Sequence, residues 1–219
     1  RSHRDFVYNY ITNQNLQDRC VLTYVRYAHK PIIDNPDFLL ETDDIEFDLN
    51  RKYTHSVDSV RYHGRWITIS QLVPLSIYNQ SAYTLVAETN AHNHFNFYTE
   101  KIVKPMLARR LFIVISGQHY LKNLRSMGIQ TFDSIIDESY DDMVDDQQRW
   151  MQAMTQFQYL CSADQADILA KIQPIVEHNY QLITDKNWYQ EFLTDLGREV
   201  SAHVQQMHDL PDFLLSTRT

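Results

Sequence analysis

Two short apolar runs constrain what the middle of this chain can become. Ala82-Tyr83-Thr84-Leu85-Val86-Ala87 ends in the carboxylate of Glu88, and Leu111-Phe112-Ile113-Val114-Ile115 follows after a polar loop and a helical segment. Each reads as a buried strand, the first delivering Glu88 to its carboxyl end. Thr99 is a good N-cap for a helix beginning Glu100-Lys101-Ile102-Val103, so backbone N–H groups and an ammonium converge where loop meets helix. That is an anion site in outline, with Lys101 as a phosphate donor and Glu100 as an acceptor for a sugar hydroxyl. Pro105 removes the N–H that would reach the Lys101 carbonyl, which predicts a kink after one turn.

On either side the pattern alternates. Phe6, Tyr10, Ile11 and Leu16 repeat at helical spacing, with Arg1 and Arg4 in the first turn or just before it. Cations there oppose the helix dipole, so a bound anion explains them better than helix stability does; on the residues alone, frayed terminal side chains are the preferred reading. Cys20 to Val25 is β-branched and aromatic and predicts a strand. From about 26 to 65 the pattern breaks into an irregular insertion with Pro31, Pro36 and acidic stretches, and Ile67 to Tyr78 reads as a helix bent at Pro74. Beyond Ile115, Gly117 can bring backbone close to a ligand, and Tyr120 to Met127 is a short helix closed by Gly128. Phe132 to Ile136 then predicts a further strand with Asp137 and Glu138 at its end, either as ligand groups or as caps of the next helix. Strand, helix, strand, helix, strand implies a Rossmann-like, doubly wound parallel sheet over residues 1–142. From 143 to 210 Trp150, Met154, Phe157 and Leu160, then Ile168, Ile172 and Val176, then Trp188, Phe192, Leu196 and Val200 repeat at three and four residues. They predict a helical C-terminal extension of three helices, interrupted at Pro174 and near Asn187, with 211–219 as a tail.

Composition narrows the function classes. Twenty Lys plus Arg against 28 Asp plus Glu give a net charge of −8, which disfavours nonspecific attraction to nucleic acid or anionic membrane. No apolar run approaches a membrane span, and Cys20 and Cys161 are expected to be reduced, mostly buried thiols, so a cytoplasmic protein is expected. The chain has four glycines and neither Gly-x-Gly-x-x-Gly nor a P-loop, which leaves dehydrogenase and ATPase readings weak. It also lacks a strict Asp-x-Asp, the usual metal-diphosphate signature. His92-Asn93-His94 supplies at most half a zinc shell and is read as structural or solvated, with hydrogen bonding to an acceptor or phosphate kept open for His94.

The sequence resembles a family through three blocks in order: Arg1-Ser2-His3-Arg4, then Glu88 with its Asn loop, Tyr98 and Thr99-Glu100-Lys101, and Phe132 to Asp141. They are similar to the donor-nucleotide segment of GT-B glycosyltransferases, in particular fucosyltransferase-like and exostosin-like enzymes, and to glycosyltransferases of tailed phages and large viruses. The resemblance implies a metal-independent transferase without a cofactor. It would move a sugar from a nucleotide-sugar donor to a glycan or another hydroxyl acceptor, in a host cytoplasm if viral. It places Arg1, Arg4, Thr99, Glu100 and Lys101 at the donor, with Glu88 at an acidic position open between catalysis and structure. His94, Tyr98, Gly117, Asp137 and Glu138 are further contact candidates. The acceptor base is unassigned, an amino-terminal domain outside this chain being one expected source. Where fucosyltransferases carry a small-Gly-x-Pro segment this chain has Arg109-Arg110-Leu111-Phe112, so neither fucose nor GDP carries over. Alternatives are a non-catalytic Rossmann-like nucleotide-binding or assembly module, a viral DNA-modifying glycosyltransferase and a nucleotide hydrolase.

Overall fold

A computed structural model describes residues 2–22, 45–46, 59–62, 65–68, 73, 75–92 and 95–208. The chain divides into two compact units, Arg1–Ile183 and Thr184–Thr219. The first is a mixed α/β unit. Its helices and strands run α1 (Ser2–Asn13), β1 (Ile45–Glu46), β2 (Ser59–Tyr62), β3 (Arg65–Thr68), α2 (Leu75–Asn79), β4 (Tyr83–Ala87), α3 (Glu100–Leu107), β5 (Leu111–Ile115), α4 (Tyr120–Ser126), α5 (Asp146–Ser162) and α6 (Gln165–Asp185).

The two apolar runs form the expected pair. β4 and β5 are parallel in the register Tyr83 with Leu111 through Ala87 with Ile115, joined through α3. Every residue of β5 is buried. Ile102 and Met106 of α3 join that core, as do Leu121 and Leu124 of α4, Trp150, Ala153, Met154 and Leu160 of α5, and Ile168, Ile172 and Val176 of α6. The periodic apolar stripes of α5 and α6 are therefore core, and removing their apolar surface from water is the main force holding these helices in the unit. Pro174 lies inside α6 rather than interrupting it. Buried Ile172 and Val176 flank it, so packing on both sides outweighs the hydrogen bond that its missing N–H forfeits. The break between α6 and α7 (Trp188–His208) does fall at Asn187, whose side chain accepts from Gln190 N at 3.1 Å.

Several expectations are corrected. Phe132 to Ile136 is not a strand. The Phe132 N–H donates to the Glu138 carboxylate at 2.7 Å, and Ile135 and Ile136 N–H both return to the Phe132 carbonyl, so the segment curls into turns. A two-stranded parallel sheet results among the described residues, and a full doubly wound sheet is not shown. Ile67 and Thr68 end β3 instead of starting a helix, which begins only at Leu75, and β3 forms an antiparallel sheet with β1 and β2, both inside the segment read as irregular. Cys20, Val21 and Leu22 lie outside regular structure, and the remainder of the strand expected there lies outside the described residues. α4 does close at Gly128, which takes a left-handed φ of 92°.

The second unit carries α7. Lys186 pairs with Glu191 at 2.7 Å and stacks on Trp188 at 4.2 Å. Tyr189, Leu193, Leu196 and Val200 are exposed along α7.

Candidate functional site

The site is built where β4 ends. Glu88 extends the ladder by one rung, its N–H donating to the Ile115 carbonyl at 3.1 Å, and its side chain is fully buried. The carboxylate accepts from Thr89 N at 3.0 Å, the Thr99 hydroxyl at 2.7 Å and the Tyr120 hydroxyl at 2.9 Å. Thr99 caps α3 as its sequence suggests. Having donated to Glu88, its hydroxyl oxygen accepts from Lys101 N and from Lys101 Nζ, both at 3.3 Å. One buried carboxylate therefore orients the cap, and the cap orients the lysine.

Lys101 and Glu100 pair with each other at 2.8 Å, each about one-third exposed. Partial burial works against ionisation of Glu100, but the Lys101 ammonium outweighs it and holds the carboxyl below its usual range. An anion at this helix start would draw on Lys101 in competition with Glu100.

The first turn of α1 is strapped to the same strand end. His3 donates from Nε2 to the Glu88 carbonyl at 2.8 Å, and Arg4 Nη2 reaches the Ala87 and Glu88 carbonyls at 3.4 Å each. His3 is 1% exposed. Because a carbonyl only accepts, Nε2 carries the ring proton and Nδ1 is left a bare acceptor without a partner among the described residues. Burial lowers the His3 pKa to about 4, against the smaller opposing effect of the Glu88 carbonyl. A folded pKa below the unfolded one means that the unfolded chain binds the extra proton. The stabilisation is therefore complete above about pH 6.5 and is lost as pH falls towards 4. Lowering pH from 7 to 5 is expected to cost the native protein roughly 2 kcal/mol through this group. Urea titrations at both pH values, compared with His3→Gln, measure it; an equal loss in the variant would remove His3 as the cause.

A second cluster adjoins the first through His92, in the loop after β4. The Ser2 hydroxyl lies 3.1 Å from His92 Nε2, and His92 Nδ1 lies 2.7 Å from Asp146 Oδ2. The other Asp146 oxygen is held by Arg149, and the Trp150 ring backs the imidazole edge-on at 5.0 Å. Arg149 is 3% exposed and also donates to the carbonyls of Ser116 at 3.0 Å, Met143 at 2.7 Å, Val144 at 3.4 Å and Ala91 at 3.2 Å. Partial burial opposes the Asp146 charge, yet Arg149 and His92 hold its carboxyl below the usual range. The first turn of α5 also favours a carboxylate, and Asp145 caps that helix through Gln148 N at 2.8 Å. Sequence reasoning missed this cluster: it read His92-Asn93-His94 as structural or solvated and connected neither histidine with Asp146. The one available signal was Asp-Asp directly before an amphipathic helix, a cap signature that says nothing about a distant histidine.

The remaining candidates fall in different places. Arg1 and His94 lie outside the described residues. Tyr98 is partly exposed on the loop that leads to Thr99, its ring 4.9 Å from Tyr120. Gly117 is buried in the bend after β5, its carbonyl accepting from the Ser116 hydroxyl at 3.3 Å. Asp137 and Glu138 have no strand to end. Asp137 closes a turn onto Ser139 N at 2.9 Å, and buried Glu138 binds Arg125 at 2.9 Å, so both are engaged in holding the loop. The cysteines are half-buried rather than mostly buried, and they meet: Cys20 hydrogen-bonds Cys161, raising its own pKa and lowering that of Cys161 to about 7. Arg4, Lys101 and Lys104 line a cavity of about 940 Å³ beside β4. Among the described residues no group of three or more His, Cys, Asp or Glu side chains is placed to hold a metal ion. No helix there is long and apolar enough to cross a membrane. Comparison with family models, with curated proteins and with solved structures gives no match.

Proposed function

We propose that this chain is a metal-independent glycosyltransferase that binds a nucleoside-diphosphate sugar at the start of α3 and transfers the sugar to a hydroxyl acceptor. The observation that carries this reading is convergence. Arg4 and His3 from the first turn of α1, Glu88 from the end of β4, and Thr99-Glu100-Lys101 from the start of α3 meet at one strand end, although they come from blocks far apart in sequence. Ligands of parallel sheets collect outside the carboxyl ends of the strands, and β4–α3–β5 is one unit of the doubly wound sheet that a GT-B donor half would contain. In this reading Lys101 and the α3 N-terminus meet the diphosphate and compensate the charge of the leaving group, with Arg4 beside them and Glu100 on the ribose. Glycans are the preferred acceptor class, since a net charge of −8 weighs against DNA.

The second reading is a nucleotide-binding or assembly module that binds without turnover, and the ion pair that already engages Lys101 favours it. A thermal-shift screen with UDP, GDP, CMP, ADP and dTDP tests the site. At about 100 times the dissociation constant one nucleotide should add roughly 2.7 kcal/mol, a rise of roughly 5 to 10 °C. Lys101→Ala should abolish that shift, and Glu100→Ala should abolish or weaken it. If no nucleotide moves the native protein, the donor site is refuted. A shift without nucleotide-sugar cleavage selects the module.

A further inference from the structure

We propose that His92 is the base that takes the proton from the acceptor hydroxyl, with Asp146 as the positioning residue that fixes its tautomer; this rests on the glycosyltransferase reading. The partners of the ring decide where its proton sits. The Asp146 carboxylate has no proton to give, so Nδ1 carries the hydrogen and donates at 2.7 Å. Nε2 is then a bare lone pair, and the group 3.1 Å in front of it is a hydroxyl, that of Ser2. A neutral imidazole whose lone pair receives an O–H is the arrangement that general-base catalysis requires, and the Ser2 hydroxyl marks where an acceptor hydroxyl would enter.

The surroundings support this use. Ser2 and His92 are exposed, so a substrate hydroxyl can displace that of Ser2 without unfolding anything. The other end of the relay is rigid. Arg149 grips the second Asp146 oxygen while its remaining donors are spent on four backbone carbonyls, and Trp150, whose indole N–H donates to the Ala91 carbonyl at 3.1 Å, packs behind the ring. Among the described residues the ionisable groups that face His92 are Asp146 and, through it, Arg149 from α5, and His3 from α1 with its ring 6.2 Å away. His3 bonds the carbonyl of Glu88, whose carboxylate orients the Thr99 cap, so the relay and the donor site share one strand end.

The step balances. The acceptor O–H bond breaks and its proton goes to Nε2. The oxygen electron pair forms the bond to the anomeric carbon as the bond from that carbon to the diphosphate oxygen breaks. The nucleoside diphosphate leaves with that pair, and Asp146 stabilises the imidazolium until it returns its proton to solvent.

The test uses the whole chain, with UDP-glucose and GDP-mannose as donors and water as the acceptor hydroxyl. Nucleotide release gives turnover, and a thermal shift with UDP or GDP gives binding. His92→Gln should lower kcat by on the order of 10² to 10³, with the nucleotide shift unchanged. Asp146→Asn has a distinctive signature. Arg149 accepts nothing, so the new amide must turn its oxygen to Arg149 and its NH2 to His92, which forces the proton onto Nε2. Nitrogen-15 NMR of the imidazole should show the Nδ1–H form in the native chain and the Nε2–H form in Asp146→Asn, together with a fall in kcat at unchanged KM.

An Nε2–H tautomer in the native chain overturns the proposal without any ligand. Cleavage that survives in His92→Gln overturns it and leaves the donor reading standing. If Ser2→Ala is as inactive as His92→Gln and a fluorophosphonate labels Ser2, the proposal is overturned in favour of serine nucleophilic chemistry. Nucleotide binding without cleavage overturns it in favour of the module, and absence of any nucleotide binding overturns the donor reading and this proposal together.

Discussion

Arg149→Met is expected to destabilise the first unit by about 3 to 5 kcal/mol, the range for breaking a buried ion pair from one side. The change keeps the aliphatic volume and removes every donor. It leaves the carbonyls of Ser116, Met143, Val144 and Ala91 short of a partner and Asp146 without its cation. These carbonyls sit in the loop after β4, the bend after β5 and the turn into α5, so a single planar fork fastens three loops together. Urea denaturation should show a lower midpoint at unchanged slope, and melting should fall by roughly 6 to 20 °C. Arg149→Lys keeps the charge but cannot reproduce the fork, and should recover at most half of the loss. A midpoint in Arg149→Met equivalent to less than about 1 kcal/mol of destabilisation would mean that water replaces the guanidinium without cost, and the clamp would be discarded.

The second large effect belongs to Glu88. All its side-chain partners are donors, so Glu88→Gln must turn an NH2 group towards the Thr99 side or the Tyr120 side. Charge-assisted hydrogen bonds contribute about 1.5 to 3 kcal/mol each, so the isosteric change should cost roughly 2 to 4 kcal/mol. It should also release the Thr99 cap and loosen Lys101. A purely catalytic Glu88 makes the opposite forecast, full stability with loss of turnover. Denaturation of Glu88→Gln beside its UDP or GDP shift separates the two, and native stability in that variant would reject the structural role.

What the sequence made legible was local. Unbroken apolar runs marked β4 and β5, a threonine before Glu-Lys marked the cap of α3, and repeats at three and four residues marked α5, α6 and α7, because each signal is carried by neighbours in the chain. What it hid was settled by side chains reaching across the fold. Phe132 to Ile136 has strand composition, yet the Glu138 carboxylate captures the Phe132 N–H and curls it. Ser2, His92 and Asp146 carry no shared spacing, and their meeting depends on α1 being fastened to the Glu88 carbonyl and on α5 packing against β5. Pro174 warned of a break that burial on either side overrode.

The short crossover between β4 and β5 also sets an order of assembly. Strands separated by one helix close a small loop, whereas His3 reaches Glu88 across 85 residues and Arg149 reaches Ala91 across 58. Closing a longer loop costs more chain entropy, so the β4–α3–β5 unit can form first and α1 is added to a strand end that already exists. Run backwards, the same order lets α1 peel away while the parallel pair stays intact. The wall that carries Ser2, His3 and Arg4 is then the piece most cheaply detached, and a ligand bound against it would act as a latch on the amino-terminal helix.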